Sequence, residues 1–596
     1  MFKMKIIYVA LAAALSSSVV MAEPNTYKLG NGPKVIDIEK PNKAGVSHNI
    51  YNEFNVDSKG VIFNNNLADA THSKYGDIAK NSNLDGAAAS VILNEVASNK
   101  ASLLAGFMEV SGQKADVIVA NPNGITCSGC SFINTNKAIL TTGKVNLAES
   151  GAIGSYDVTK GNITINGNGM NAENSYVMLL ADAIKLTGTL EASNAYLSAG
   201  SFTMDGKTDV VTSHKKQATE EELNNPVYSI DIANFGGVRA NSITMMGNNL
   251  GFGVRNKGTI VANTSLAMAS NGALVNEGAI NSNGFATQVV SAGVLYNTGN
   301  ISTKNNTLIR GMNHLINEGN ITSTKQLILS NYGSVENKGN IKGQEGLELT
   351  TYGDLITRYG STLTSNGNTN VNVLNNVLNG GSISGQNVRV NFSGSAMQIT
   401  GNLYGYDNVI IQSANQEHNA ISNGSIINEG QLVSQGDLIV QTNGMFGQTA
   451  TANTEVWKKF TANVNNLTNL GDITAPSIEI NNQTLKNAGT LYANDITLNS
   501  GQELWNEGSI HALKNMTLNT KNARFTNRGT ISADDTLNIT ANKVENGGYR
   551  CGLFKLQTCD KGTLSASRLV LTSSHNSTSE MGGLQHFNSV EIKRAQ

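Results

Sequence analysis

Charge is scarce in this sequence. Charged residues make up 14% of its 596 positions, against about 25% in ordinary soluble domains. The formal net charge is −2. No block of lysine or arginine gives the electrostatic footprint that nucleic-acid binding requires. Proline is scarcer still, with 6 residues in all, which excludes a collagen-like repeat. The Ala, Glu, Lys and Leu that build coiled coils and long helices do not dominate. Beyond the first 22 residues no apolar run approaches the ~18 residues of a membrane-spanning helix. Hydrophobic residues, at 39%, are also below the usual share. Small polar residues fill the deficit, with 82 Asn and 61 Gly. Near-zero net charge and plentiful β-branched residues argue against charge-driven disorder. The length exceeds one ordinary core of roughly 100–200 residues. Several domains or one elongated repeat body are therefore expected.

The first 22 residues read as a secretory signal peptide. Lys3 and Lys5 supply a positive start, Ile6 to Leu15 an apolar stretch, and Val20-Met21-Ala22 a cleavage site before Glu23. The mature chain is expected outside the cytoplasm, where cysteines oxidise. Its 4 cysteines fall as two close pairs, Cys127 with Cys130 and Cys551 with Cys559. A zinc site would want a second C-x-x-C or a His pair at matching spacing, and a thioredoxin-like site a βαβ context. Neither is present, so local structural disulfides that pin turns are expected.

From about residue 240 the sequence repeats with a period near 20. Leu266, Met268, Leu274, Asn276, Gly278 and Ile280 stand at the same offsets as Leu327, Leu329, Val335, Asn337, Gly339 and Ile341. Ile496, Leu498, Leu504, Asn506, Gly508 and Ile510 repeat them again. Further copies carry Asn297/Gly299, Asn317/Gly319 and Asn527/Gly529. The spacing widens between Gly401 and Gly471, where an insertion-bearing or degenerate coil is expected. Short apolar–polar alternation means half-buried strands, and Gly two residues after Asn marks a bend. A unit this small cannot bury its own apolar face, but a stack of units can. Parallel stacking sets equivalent residues about 4.8 Å apart. Inward Asn276, Asn297, Asn317, Asn337, Asn506 and Asn527 can then bond to their copies above and below, as in stacked amide ladders. The expected fold is all-β: a parallel β-helix (β-solenoid) with extra-helical loops. About 25 coils would give a rod on the order of 120 Å. Leucine-rich repeats share the period but need L-x-x-L-x-L before the Asn, and these copies lack it. Two stretches break the rhythm. Residues 203–229 are expected as a charged loop or short helix leaving the rod, and 543–596 as a cap or degenerate repeats.

The stretch 23–240 is β-rich but irregular, and it contains recognisable words. Val46-Ser-His-Asn49 leads into Tyr51-Asn-Glu-Phe-Asn-Val56. Asn81-Ser82-Asn83-Leu84, then Asn121-Pro122-Asn123-Gly124-Ile125 and Cys127-x-x-Cys130 follow in order. Together these resemble the secretion domain of the two-partner secretion exoproteins, the filamentous haemagglutinin family. Asn121–Ile125 matches the NPNGI motif of that family. Asn81–Leu84 takes the place of its NPNL motif, with Ser82 where Pro is usual, as in its haemolysin and contact-dependent inhibition branches. Tyr228–Gly237 and Gly251–Asn256 resemble the entry into the haemagglutinin repeats of 241–542. The resemblance implies a right-handed β-helix, export through an outer-membrane partner transporter, and a role for both motifs in recognition by that partner or in folding for it.

Catalytic chemistry is not expected. No P-loop, HExxH or G-x-S-x-G occurs, and the 8 His make no metal-spaced pair. The repeated polar residue is Asn, which cannot act as general acid or base. The Glu of Asn276-Glu277, Asn317-Glu318, Asn428-Glu429 and Asn506-Glu507 reads as a solvated stripe. No cofactor, metal, nucleic acid or small-molecule ligand is expected. The leading functional reading is a secreted adhesin on the surface of a Gram-negative bacterium, exported via the periplasm and binding an unnamed receptor. A contact-dependent growth inhibition protein, truncated or lacking its toxin domain, a haemolysin of the same family, and a carbohydrate-active β-helix enzyme are the alternatives.

Overall fold

The computed structural model describes residues 23–68, 71–73, 75–214, 228–415, 420–547, 550–551, 557–558, 562–573 and 583–594. The expected signal peptide (1–22) and Cys559 lie outside them. The described chain is all-β and winds as a parallel β-solenoid of about 22 turns. At about 4.8 Å per turn the body is on the order of 100 Å long. The expected coil number was slightly high because early coils are longer than the repeat: Val46 stacks on Val91, and Leu190 on Val238.

Each repeat coil has three strands on three faces. In one, Ala279–Ser282 forms the first face, Ala286–Ser291 the second and Leu295–Asn297 the third. Asn300–Thr303 then starts the next coil directly above Ala279–Ser282. Alternate side chains point inward, because strand side chains alternate with period two. The inward ones form columns: Ile260, Ile280, Ile301, Ile321 and Ile341 stack one per coil on the first face, each at most 1% exposed. Burying each such side chain contributes about 1.5–3 kcal/mol, and no coil can do so alone.

The corner between third and first faces holds the Asn and Gly. Asn256 Nδ2 donates to Asn276 Oδ1 at 2.8 Å, Asn276 to Asn297 at 2.7 Å, Asn297 to Asn317 at 2.7 Å and Asn317 to Asn337 at 2.8 Å. The column resumes from Asn469 through Asn487, Asn506 and Asn527 to Asn546, every step 2.8 Å. All its amides donate toward the C-terminus. Between the two runs the column holds Thr357, Asn379, Ile399, Asn428 and Gln448. Gln448 Nε2 reaches Asp472 O at 2.6 Å, so its longer arm bridges that coil. Gly two residues after each Asn is required by proximity. A Cβ on Gly299 would lie 2.1 Å from Gly278 O, and one on Gly319 2.0 Å from Gly299 O.

Three departures from the repeat have separate causes. The widened interval between Gly401 and Gly471 contains a hairpin, Ala414/Asn415 against Ile421/Ala420, and then a coil with Gln448 and Ala452 at the Asn and Gly places. Within 203–229, the described part corrects the expectation of a loop or short helix. Phe202–Asp205 and Val211–Ser213 join Lys144–Leu147 and Ile153–Val158 in a four-stranded antiparallel sheet outside the rod. The second face is apolar on its outside there, and Val46, Leu93, Ile118, Ile139 and Met178 form a second core with Tyr156, Val158, Phe202 and Met204. Residues 215–227 lie outside the described chain. In the stretch 543–596, Thr563–Ser573 and Leu584–Arg594 stack in parallel register on Thr530–Asn546. They continue the solenoid as degenerate repeats rather than folding across its end. At the other end Thr26–Lys28 runs antiparallel along Lys34–Ile36, the first strand of the first face.

The ladder makes a quantitative prediction. Asn317→Ala strands the Asn297 donor and removes the bond to Asn337, so it should destabilise its coils by about 1–3 kcal/mol. Exposed Asn313→Ala should stay within about 0.5 kcal/mol. Hydrogen exchange across residues 297–337 reads the difference; equal protection in both variants would refute a stabilising ladder.

Candidate secretion-recognition turns

Both motif segments are corner turns built in one way. Asn81 caps the 3-10 turn Ser82–Leu84 and accepts from Asn83 N at 2.9 Å. Its Nδ2 donates to Ile38 O at 2.8 Å and Asn64 O at 2.9 Å. Leu84 is fully buried, while Ser82 is exposed. Asn121 accepts from Asn123 N at 3.0 Å, and its Nδ2 donates to Lys100 O and Ser102 Oγ, both at 2.9 Å. Asn123 Nδ2 reaches Ser98 O at 2.7 Å. Each motif is thus an Asn-x-Asn Asx turn, whose first carboxamide is buried and donates to oxygen atoms of neighbouring segments: Ile38 O and Asn64 O for Asn81, Lys100 O and Ser102 Oγ for Asn121. The intervening residue is not part of that network, which explains how Ser82 can stand where the other turn has Pro122. Gly124 has φ +111, a conformation open to glycine at little cost. Ile125 is buried and pairs with Ser102 and Ile163.

Cys127 and Cys130 sit at the next corner, both buried, with Sγ atoms 1.96 Å apart and Cα atoms 5.3 Å apart. This is the corner that Asn-x-Gly occupies in the repeats. The column runs Leu104, Cys127, Ile165, Leu186, Ile232 and then Asn256. The corner is apolar through the secretion segment and turns to amide where the repeats begin. Of the second pair, Cys551 lies in a short strand against Gln557–Thr558, and Cys559 is outside the described chain. The structure brings Asn81–Leu84 and Asn121–Ile125 into successive windings of one stack but not into one cluster.

Other residues of this segment carry equal structural weight. Asn65 donates to Ala89 O and Gln113 O, both at 2.8 Å, and accepts from Ala89 N at 2.7 Å. The Asn64-Asn65-Asn66 run after Val61-Ile62-Phe63 was the available signal for this staple. His48 Nε2 lies 2.7 Å from Glu95 Oε2 on the neighbouring coil. Tyr51 Oη donates to Asn94 Oδ1 at 3.0 Å, and burial, with Glu23 and Glu39 nearby, raises its pKa strongly. A crevice of about 450 Å³ between the outer sheet and the second face is lined by Asp116, Lys137, Tyr156 and Asp209. Burial raises the Asp116 carboxyl above its ordinary range. Tyr176, in register with Lys137 on the neighbouring coil, is pushed up to about 12 by burial and then by Asp209. Among the described residues no three His, Cys, Asp or Glu side chains group as a metal site, and no helix is long and apolar enough to cross a membrane.

Residues 12–276 match the family model described as the TPS secretion domain. That stretch resembles the secretion domain of the two-partner secretion exoproteins. Relatives include "tRNA nuclease CdiA" of Yersinia mollaretii, 43% identical over 229 residues, which cover 38% of this chain and 8% of that protein. "16S rRNA endonuclease CdiA" of Enterobacter cloacae is 29% identical over 588 residues, 94% of this chain and 17% of that protein. "Hemolysin" of Proteus mirabilis is 35% identical over 247 residues, 41% of this chain and 15% of that protein. This chain therefore spans less than a fifth of the length of these three relatives. The crystal structure of the filamentous hemagglutinin secretion domain is 31% identical, covering 48% of this chain and 95% of that one, with a TM-score of 0.39. A TPS secretion domain implies an outer-membrane transporter as partner, and exoproteins of this family are secreted across the outer membrane to the cell surface.

Asn121→Ala removes the Asx turn and both Nδ2 bonds at once. Immunoblots of culture medium and cells, in a strain carrying the transporter, should show at least a several-fold drop in exported chain. Undiminished export would mean that the turn is dispensable. In the same exported protein, an alkylating probe should label Cys127 and Cys130 only after reduction; labelling without reductant would exclude the bond.

Proposed function

We propose that this chain is a surface adhesin, a non-enzymatic rod that presents the same outward groups many times along its length. The observation that carries this reading is in-register stacking over about 22 turns. Any outward side chain that recurs in the repeat recurs every ~4.8 Å along a face. Weak contacts repeated this way raise avidity with no strong single site. The Glu stripe supplies no comparable feature. Glu277 pairs with Lys257 at 3.1 Å and Glu318 with Lys338 at 2.9 Å, and exposed pairs of this kind are worth little.

Export fits the same architecture. The motif carboxamides are consumed inside folded corners, so a transporter that reads them reads them before the coils close. A charge-poor chain can then cross a pore unfolded and wind up outside, each docked coil serving as template for the next. On this reading, deleting residues 23–240 abolishes export while leaving the repeats able to fold in isolation; export that persists without them would refute it.

The second reading is a stalk of the contact-dependent inhibition type. It is favoured by the alignment with the Enterobacter cloacae CdiA relative along 94% of this chain. Three assays separate the readings. Purified chain on beads should adhere to cells or surfaces, without lysing erythrocytes and without slowing the growth of neighbouring bacteria. Contact-dependent growth inhibition with no adhesion of the beads would overturn the adhesin in favour of the stalk.

A further inference from the structure

Outside the core, the second face carries another row of amides. Asn372, Asn391, Gln412, Gln441, Asn463, Asn481, Asn499 and Asn519 occupy one outward position on successive coils. All are half-buried. Asn499 Nδ2 donates to Asn481 Oδ1 at 2.7 Å and Asn481 Nδ2 to Asn463 Oδ1 at 2.8 Å. These bonds run toward the N-terminus, opposite to the internal ladder. From Gln441 to Asn519 the row is the floor of a groove of about 830 Å³. Five coils at ~4.8 Å make its floor about 19 Å long. Asn465 and Gln483 stand on one flank, and the inserted hairpin contributes Ile421 at one end.

We propose that this groove binds a neutral, linear oligosaccharide. Every polar lining side chain is an amide or a hydroxyl, and none is charged or aromatic. A carboxamide has two N–H donors and two acceptor positions. The outer ladder uses part of that capacity and leaves the rest facing the groove. Sugar hydroxyls donate and accept alike, so they match such a floor in either direction. An extended chain of pyranose rings also advances by nearly one strand spacing per ring, so that each ring can meet one coil. Two lining residues also hold a buried polar atom without a partner, Asn519 Oδ1 and Asn482 Nδ2. A polyanion would find no cation here to pair with, and phosphate polymers depend on such pairs. An extended peptide would seek a free sheet edge, whereas the strands of this face already bond to the coils above and below. Without an aromatic platform each ring binds weakly, and affinity grows with the number of rings engaged.

The inference gives the adhesion reading a receptor chemistry and rests on that reading. The test is calorimetry on the exported chain with cellohexaose, maltohexaose and an oligogalacturonate of equal length. At least one neutral hexaose should bind, and its trimer should bind more weakly. Asn481→Thr with Asn499→Thr, the residue type present at Thr461, Thr497 and Thr517 one row away, should weaken binding about ten-fold or more. Asn465→Trp, at an exposed flank position, should block the groove without touching the ladder. Circular dichroism identical to the parent shows that both variants fold. Failure of both neutral hexaoses to bind, a preference for the oligogalacturonate, or unchanged affinity in both variants would overturn the proposal. The bead adhesion assay separates the two failures. Adhesion undiminished in both variants removes the groove and keeps the adhesin. Hexaose binding lost in the variants, from a parent chain that never adheres, keeps the groove and removes the adhesin.

Discussion

Everything in this molecule depends on neighbouring coils lying one strand spacing apart, in register. At that separation backbone groups of one coil are satisfied by the next, apolar side chains meet their own kind, and a buried carboxamide finds an identical acceptor. The same separation excludes a Cβ from the Asn-x-Gly corner, because the carbonyl of the coil below already occupies that space. Glycine is therefore retained there for closeness, not for backbone freedom: its φ is unremarkable at Gly299 and Gly319 and left-handed at Gly124. One distance sets both residues of the motif. An isolated unit of this sequence would expose its amide and its apolar columns together, so stability belongs to the stack.

The secretion segment and the repeats are two versions of one winding. They differ most at the corner that carries Leu104, Cys127, Ile165, Leu186 and Ile232 in the first and amides from Asn256 onward in the second. The early coils are long and individually shaped, with Asn65, Asn81 and Asn121 as separate staples and an antiparallel sheet over one face. The later coils are short and interchangeable. A transporter that must recognise one protein among many needs the first kind. A surface that must repeat one contact needs the second. The chain supplies both without changing architecture.

The repeat body was legible because identical residues recur at identical offsets, and stacking turns recurrence into contact. Asn276, Asn297, Asn317 and Asn337 could be placed in one column from spacing alone. The outer sheet was not legible. Lys144–Leu147 and Ile153–Val158 form a local hairpin, and Phe202–Asp205 pairs antiparallel with it from far along the chain, with no period to betray the pairing. The clue was chemical: Val117–Ala120 and Tyr176–Ala181 are apolar on successive residues, as strands buried on both sides must be. The outer amide row escaped notice for a different reason. Against a background of 82 Asn, Asn463, Asn481 and Asn499 stand out only once the backbone shows that they share a face. The NPNGI-type words were visible, but their inward-pointing carboxamides were not, since a turn can present such a group to either side.

The reversed strand at Thr26–Lys28 has a further consequence. On the first face every other step is parallel, and a parallel coil cannot copy the hydrogen-bond pattern of an antiparallel border. The two ends of the first face are therefore not copies of one another: one border is antiparallel at Thr26–Lys28 and the other parallel at Leu584–Arg594.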